Sequence, residues 1–198
     1  MNRADRERWA SARTLADLGE LTALWLEGEI RKAPGYDGPP DPETLPLVPV
    51  LAAACRAGFV TSGSQPGCRG AGQEQRAAVE GFASLPTMDR LLRCRDGVLA
   101  ERGLPIVIRA WRASWRTSWR YAIPVSRSDG QVVTRFGARL SRRFIRDPWT
   151  GYGACHRDAV AALCGAWQVT VTDPQWGRDD ALWPVPAKFA ALPQEAQS

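Results

Sequence analysis

Three polar residues in the first third of the chain have the types and spacing of a small-molecule binding site. Glu43 follows Asp41 and Pro42 at a predicted helix start, where its carboxylate can accept hydrogen bonds from ribose hydroxyls or an amine. Thr61 and Ser64 place two hydroxyls three residues apart on a glycine-containing turn, so they can bond one ligand from two sides. The alternative is that Glu43 only supports a helix start and both hydroxyls only satisfy a turn.

The second candidate is the stretch 109–121, RAWRASWRTSWRY, in which tryptophan and arginine each recur every four residues. Arginines interleaved with aromatic rings can follow phosphates and stack on bases, which makes this stretch a candidate nucleic-acid or partner contact. In the alternative arrangement the tryptophans pack in the core while the arginines face solvent, and we favour this second interpretation. The residues concerned are Trp111, Arg112, Trp115, Arg116, Trp119 and Arg120.

The sequence lacks the common catalytic motifs. It contains no Gly-rich phosphate-binding signature, no G-x-S-x-G and no H-E-x-x-H. The single histidine, His156, directly follows Cys155, and adjacent residues on a helix point about 100° apart, which does not suit a base and its nucleophile. We interpret the acid pair Asp179-Asp180 as a polar turn rather than an acid–base pair. The sequence therefore favours a non-catalytic protein.

The cysteines do not form a metal or disulfide pattern. Their spacing is wide and irregular, there is no C-x-x-C pair, and only one histidine could complete a zinc site. We predict no metal and interpret the cysteines as small buried or half-buried residues. They are Cys55, Cys68, Cys94, Cys155 and Cys164.

The composition is typical of one globular domain spanning 1–198, with 44% hydrophobic and 24% charged residues. We expect a folded core at 14–186 and frayed ends at 1–13 and 187–198. No apolar stretch approaches the length of a membrane span or a signal peptide, which predicts a cytoplasmic location. The net charge of +5 suggests an anionic partner, although the Arg-rich, Lys-poor composition weakens that inference.

The hydrophobic pattern predicts an α+β fold with a mixed or antiparallel β-sheet core and surrounding helices. Helices are predicted at 14–31, 42–56, 73–84, 87–102 and 156–164. Thr14 and Asp17 are predicted to cap the first helix, whose apolar face includes Trp25, and Gly103 is predicted to end the helix at 87–102. The predicted strands are 59–61, 105–110, 121–125, 131–136 and 167–171. A glycine-rich loop is predicted at 62–72, a hairpin turn at Ser128-Asp129-Gly130, and a loop at 147–153.

Several segments of the sequence carry motifs in an order known from another protein family. LTALWLEGEI and PDPETLPLV come first, RAGFVTSGSQPG follows them, and WQVTVTDPQWGRDDALWPV ends the series. In this order they resemble the C-terminal regulatory domain of eukaryotic methylenetetrahydrofolate reductase, which binds S-adenosylmethionine. The chain also resembles an uncharacterised bacterial family of stand-alone proteins of this length. The matching positions are Gly28, Glu29, Glu43, Thr44, Gly58, Thr61, Ser64, Gln65, Pro66, Asp173, Asp179, Leu182 and Trp183.

The resemblance implies the fold of that regulatory domain and an adenosyl ligand, S-adenosylmethionine or S-adenosylhomocysteine, in contact with Glu43, Thr44, Thr61 and Ser64. In that family the domain regulates a catalytic barrel on the same chain. We expect the regulatory-type domain to use all 198 residues here, so reductase activity is not carried over. The sequence predicts a stand-alone, non-catalytic small-molecule-binding or sensor module. The alternative is a nucleic-acid-binding or protein-interaction module that uses 109–121.

Overall fold

The fold is α+β, with two antiparallel sheets and helices on both faces of the first sheet. The structure is a computed structural model that describes residues 1–151 and 155–193. The helices are α1 (Arg3–Ser11), α2 (Leu15–Leu26), α3 (Val48–Arg56), α4 (Leu85–Arg102), α5 (Arg142–Thr150), α6 (Arg157–Gly165) and α7 (Pro184–Ala191). The strands are β1 (Phe59–Gln65), β2 (Cys68–Gly70), β3 (Gln73–Gln75), β4 (Ala78–Ala83), β5 (Val107–Arg112), β6 (Ile123–Ser128), β7 (Gln131–Phe136) and β8 (Trp167–Thr172).

The first sheet has the order β1-β4-β8-β5, so β1 and β5 are its edge strands. Consecutive residues of β1 enter different cores, because successive side chains of a strand point to opposite faces. Phe59 packs with α3, α4 and α7 on one face, and Val60 packs with α1, α2, α5 and α6 on the other. The second sheet has the order β2-β3-β6-β7 and packs at one end of the first.

Several local predictions are confirmed. Thr14 and Asp17 form a reciprocal capping box at the start of α2. Gly103 ends α4 in the left-handed conformation, with φ 65°. Asp129 and Gly130 both have positive φ in the turn between β6 and β7, as a two-residue hairpin requires.

The predicted helix at 73–84 is wrong, because this segment forms β3 and β4. β4 is a central strand buried between β1 and β8, so its apolar residues do not alternate simply with polar ones. Gly81 shows the constraint most clearly. A Cβ at Gly81 would lie 2.2 Å from the Val60 carbonyl oxygen, so only glycine allows β1 to approach this closely.

Other boundaries also differ from the prediction. α2 ends at Leu26, and the helix predicted from residue 42 begins as a 3-10 helix at Pro42–Leu47 before α3. β1 extends to Gln65 and so includes the first residues of the loop predicted at 62–72. α5 occupies the first part of the loop predicted at 147–153. Residues 152 and 153 of that loop lie outside the described residues.

The ends of the domain take regular structure where fraying was expected. In α1, Trp9 is fully buried, its Nε1 donates to the Lys32 carbonyl at 3.1 Å, and its ring meets Trp149 edge to face. In α7, Phe189 is fully buried, and the buried Arg90 guanidinium stacks on its ring and donates to its carbonyl. These contacts anchor both ends, whereas 194–198 lie outside the described residues.

No helix in the described ranges is long and apolar enough to cross a membrane.

Candidate functional site

A cleft wraps around the outer edge of β1 and has two lobes, which we call the β1 cleft. The polar lobe has a volume of about 290 Å³ and lies between β1, the 3-10 helix and the β6–β7 hairpin. The apolar lobe has a volume of about 250 Å³ and lies on the other face of the sheet, against α2 and α5. The two lobes share Trp25, Tyr36, Thr61 and Ser62, so a single ligand can span both.

The structure brings together the four residues predicted to bind a ligand, because Glu43, Thr44, Thr61 and Ser64 all line the polar lobe. The 3-10 helix presents the first two, held at its start by a hydrogen bond of 2.8 Å from the Thr44 amide to the Asp41 carbonyl. Whether these residues contact a ligand remains a prediction.

A β-bulge places Thr61 and Ser64 on the same side of β1. In a regular strand, residues three apart point to opposite faces. The pairing with β4 shifts by one residue between Thr61 and Gly63, so Ser62 is the extra residue that restores the common face. The sequence analysis expected these two hydroxyls on a turn, whereas the structure places them on a bulged strand.

The four side chains differ in how far they are already engaged. The Thr61 hydroxyl lies 3.2 Å from Cys55 Sγ, a buried thiol whose pKa burial raises to about 11. Glu43 accepts a hydrogen bond of 3.2 Å from Gln75 Nε2. Within the described ranges, four hydroxyls of this lobe have no hydrogen-bond partner, those of Thr44, Ser64, Ser126 and Thr134.

The β1 cleft is acidic within a basic protein. Asp41 and Glu43 line the polar lobe and Glu80 lines the apolar lobe, and no Lys or Arg is among the described lining residues. Burial raises the pKa of Glu80 above its ordinary value, and a hydrogen bond of 2.8 Å from the Gly137 amide partly opposes that shift. Burial, followed by the carboxylates of Asp41 and Glu43, raises the pKa of Tyr36 to about 12.

An aromatic pair stands where the two lobes meet. The rings of Trp25 and Tyr36 are 5.3 Å apart in an edge-on arrangement, and Trp25 Nε1 donates to the Gly38 carbonyl at 2.9 Å. Sequence reasoning assigned Trp25 to the helix core and missed Glu80 altogether. The available signal was a single carboxylate within the apolar run AVEGFA, which becomes visible once that run is read as a strand.

The structure gives structural contacts to the residues considered for catalysis. His156 caps α6, with its Nδ1 accepting from the Asp158 amide at 3.3 Å. Burial raises the pKa of Cys155 to about 12, which disfavours the thiolate. Asp179 accepts from the Gly67 amide at 2.7 Å and from Trp183 Nε1 at 2.9 Å. In the part of the chain that the structure describes, no cluster of His, Cys, Asp or Glu could hold a metal ion.

The Arg/Trp stretch at 109–121 forms the end of β5 and then an irregular segment. Trp111 is half-buried and donates to the Gly137 carbonyl at 3.2 Å. Trp115 is 84% exposed and Trp119 is 53% exposed. The expectation that the tryptophan row packs in the core is therefore wrong for these two. The strand ends at Arg112, and the regular alternation that would have buried every second residue ends with it.

The chain matches the family model described as Domain of unknown function (DUF6919) over residues 4–192. It belongs to the DUF6919 family. No curated protein matches the chain.

The cleft of this DUF6919 domain combines three kinds of group that can contact a ligand. It offers unpartnered hydroxyls, carboxylates of which Glu80 is largely buried, and an aromatic pair, but no nucleophile paired with a base among the lining residues. These groups can form hydrogen bonds, pack against an aromatic ring and attract positive charge.

Proposed function

We propose that this domain is a non-catalytic small-molecule-binding or sensor module whose ligand occupies the β1 cleft, with S-adenosylmethionine as the ligand. The observation that carries the proposal is a cleft with three carboxylates and no described lining cation, in a chain of net charge +5. S-adenosylhomocysteine is the related alternative, since it keeps the adenosyl group but has a neutral sulfur.

The ribose, the adenine ring and the cationic groups of the ligand each have a chemical counterpart in the cleft. The ribose hydroxyls are donors for the exposed Glu43 carboxylate, and the Ser64 hydroxyl is free to add a further hydrogen bond. The adenine ring suits the aromatic pair Trp25–Tyr36. The sulfonium and amino groups are positive and are favoured near Asp41 and Glu80.

Isothermal titration calorimetry with S-adenosylmethionine tests this proposal on the full chain. Glu43→Gln removes the charge and replaces one acceptor oxygen with an amide donor, and Ser64→Ala removes a hydroxyl. Each change costs about 1–3 kcal/mol, so affinity falls by roughly 5- to 150-fold. Matched controls are Glu101→Gln, at an exposed position on α4, and Ser11→Ala, at the end of α1. Neither control residue lines the described cleft.

The controls should bind like the wild type, and all four variants should keep its far-UV circular dichroism spectrum. Wild-type protein that binds neither S-adenosylmethionine nor S-adenosylhomocysteine below about millimolar concentration contradicts the ligand assignment. Equal losses in the cleft variants and the controls contradict the site assignment.

A further inference from the structure

The positive charge of the chain is concentrated in one segment. Residues 103–146 contain ten arginines and a single acidic residue, Asp129, which gives this segment a formal charge of +9. The rest of the chain has 16 basic and 20 acidic residues and a formal charge of −4. The net basicity is therefore a local property, which indicates a surface with its own anionic partner.

The fold gathers much of this segment into one surface. Ser118 and Arg139 exchange two backbone hydrogen bonds of 2.8 and 3.0 Å, and Ser114 contacts the backbone of Leu140 and Arg142. These contacts hold 113–120 alongside 139–144. The Arg/Trp surface that results consists of Arg112, Trp115, Arg116, Trp119, Arg120, Arg139, Arg142 and Phe144, all of them exposed.

The arginines of this surface have no carboxylate to neutralise them. Within 1–151 and 155–193, none of Arg112, Arg116, Arg120, Arg139 and Arg142 forms an ion pair. Elsewhere in the chain, by contrast, ion pairs are common, as between Arg178 and Asp173 at 2.6 Å. Several unpaired guanidinium groups on one surface repel one another unless an anionic partner approaches.

Exposed aromatic rings stand among these arginines. The rings of Trp119 and Phe144 are 6.4 Å apart, and Phe144 is 49% exposed. The Arg116 guanidinium lies 4.7 Å from the centre of the Trp115 ring. Trp115, at 84% exposed, leaves nearly its whole ring in water, where a flat partner can stack on it.

We infer that the Arg/Trp surface binds single-stranded nucleic acid. Unpaired arginines are suited to phosphates, and the exposed rings are suited to stacking on unpaired bases. A duplex is the poorer fit, because its bases are already stacked and 103–141 contains no helix to enter a major groove. This inference does not depend on the ligand proposed for the β1 cleft, since none of the residues proposed to contact that ligand belongs to the Arg/Trp surface; Phe144, which also lines the apolar lobe, is the shared residue.

Fluorescence anisotropy with labelled oligothymidine and oligouridine of about 20 nucleotides tests the inference on the full chain. A duplex of equal length and vesicles of phosphatidylserine and phosphatidylcholine serve as competing surfaces. We expect both single strands to bind at about 50 mM salt and more tightly than the duplex. The vesicles are not expected to compete for the oligonucleotide.

Two pairs of variants separate the charge from the stacking. Arg116→Ala with Arg120→Ala removes two phosphate contacts, so the slope of log affinity against log salt becomes shallower by about 1.4. Trp115→Ala lowers affinity by roughly 5- to 150-fold without changing that slope, and Trp115→Phe restores most of the loss. The charge-matched control is Arg6→Ala with Arg8→Ala on α1, which should bind like the wild type.

Three results overturn the inference. The first is no binding of either single strand at about 50 mM salt. The second is binding that the control pair reduces as much as the arginine pair, which indicates general charge attraction. The third is tight vesicle binding, or duplex binding tighter than single-strand binding, which assigns the surface to a membrane or to a duplex.

Discussion

The β1 cleft and the Arg/Trp surface hold their charged groups in opposite environments. In the cleft, the Glu80 carboxylate is largely buried with a single amide donor, so burial raises its pKa. On the Arg/Trp surface, the arginines are exposed and form no ion pair within the described chain, although Arg112 donates to the Gly165 carbonyl and stacks on Trp167. The comparison teaches that the net charge of +5 describes neither region, because an acidic cleft and an exposed basic surface coexist in one domain.

Helix α5 lies between the two regions and contributes to both. Its residues Ile145, Pro148 and Trp149 line the apolar lobe of the cleft. Arg142 and Phe144, at its start, belong to the Arg/Trp surface. The two regions are therefore adjacent, and each prediction below measures whether they nevertheless act separately.

Salt should separate the two regions with the largest effect. Five unpaired arginines that each meet a phosphate give a log–log slope of about −3.5, so raising salt from about 50 to about 200 mM weakens oligonucleotide binding roughly 100-fold. The β1 cleft is partly enclosed and exchanges few counterions, so S-adenosylmethionine affinity should change only a few-fold. Anisotropy and calorimetry at the two salt concentrations measure both slopes. Equal slopes would abolish the distinction between the regions.

Gly63→Ala should obstruct the cleft without harming the fold. A Cβ at Gly63 meets Phe136 at 3.4 Å and the Glu80 side chain at 3.5 Å, which is ordinary contact, and the φ of Gly63 is not positive. The added methyl group takes space in the polar lobe, and crowding of this kind costs about 1–3 kcal/mol, or roughly 5- to 150-fold in ligand affinity.

The matched variant is Gly81→Ala, whose Cβ would lie 2.2 Å from a backbone oxygen and should lower the melting temperature clearly. Gly63→Ala should keep the wild-type melting temperature and oligonucleotide affinity. Unchanged ligand affinity in Gly63→Ala would place the ligand outside the polar lobe.

Glu80→Gln should change the pH dependence of stability, which is the smallest effect of the three. Because burial raises the folded-state pKa of Glu80 above its ordinary value, the native protein holds this proton more tightly than the unfolded chain. Stability from this group is present below the unfolded pKa and is lost as pH rises through the folded pKa.

Glu80→Gln removes that loss, so its free energy of unfolding should fall less than the wild-type value as pH rises above about 4.5. Urea denaturation at a series of pH values measures the difference. Asp89→Asn, at an exposed position on α4, is the control and should follow the wild-type curve. A wild-type curve that matches that of Glu80→Gln would show that the carboxylate is not desolvated.

Local chemistry predicted much of the fold. The Thr14 cap, the Gly103 stop and the Asp129-Gly130 turn each depend on two or three adjacent residues, and the structure has all of them. The resemblance also placed the segments of Glu43 and Ser64 together, and both residues line the polar lobe, whereas their contact with a ligand stays a prediction.

The remaining features depend on contacts between distant segments. β4 is a strand because β1 and β8 flank it, and Gly81 serves that packing rather than any local preference. Glu80 enters the site only through β4. Trp115 is exposed because 113–120 runs beside 139–144 instead of continuing β5 over the core. The four-residue repeat of tryptophan and arginine at 109–121 carries no information about contacts with distant segments such as 139–144.

The affinity of S-adenosylmethionine relative to S-adenosylhomocysteine tests the acidic character of the β1 cleft most directly. The two ligands differ by the sulfonium methyl group and its charge, so their affinity ratio includes the electrostatic contribution of Asp41, Glu43 and Glu80, and the change of that ratio in Glu80→Gln separates this contribution from packing of the methyl group. A charge at this site is worth about 1–2 kcal/mol, so calorimetry of the wild type should give S-adenosylmethionine a roughly 5- to 30-fold advantage, reduced in Glu80→Gln. Equal affinities, or tighter binding of S-adenosylhomocysteine, would contradict the account.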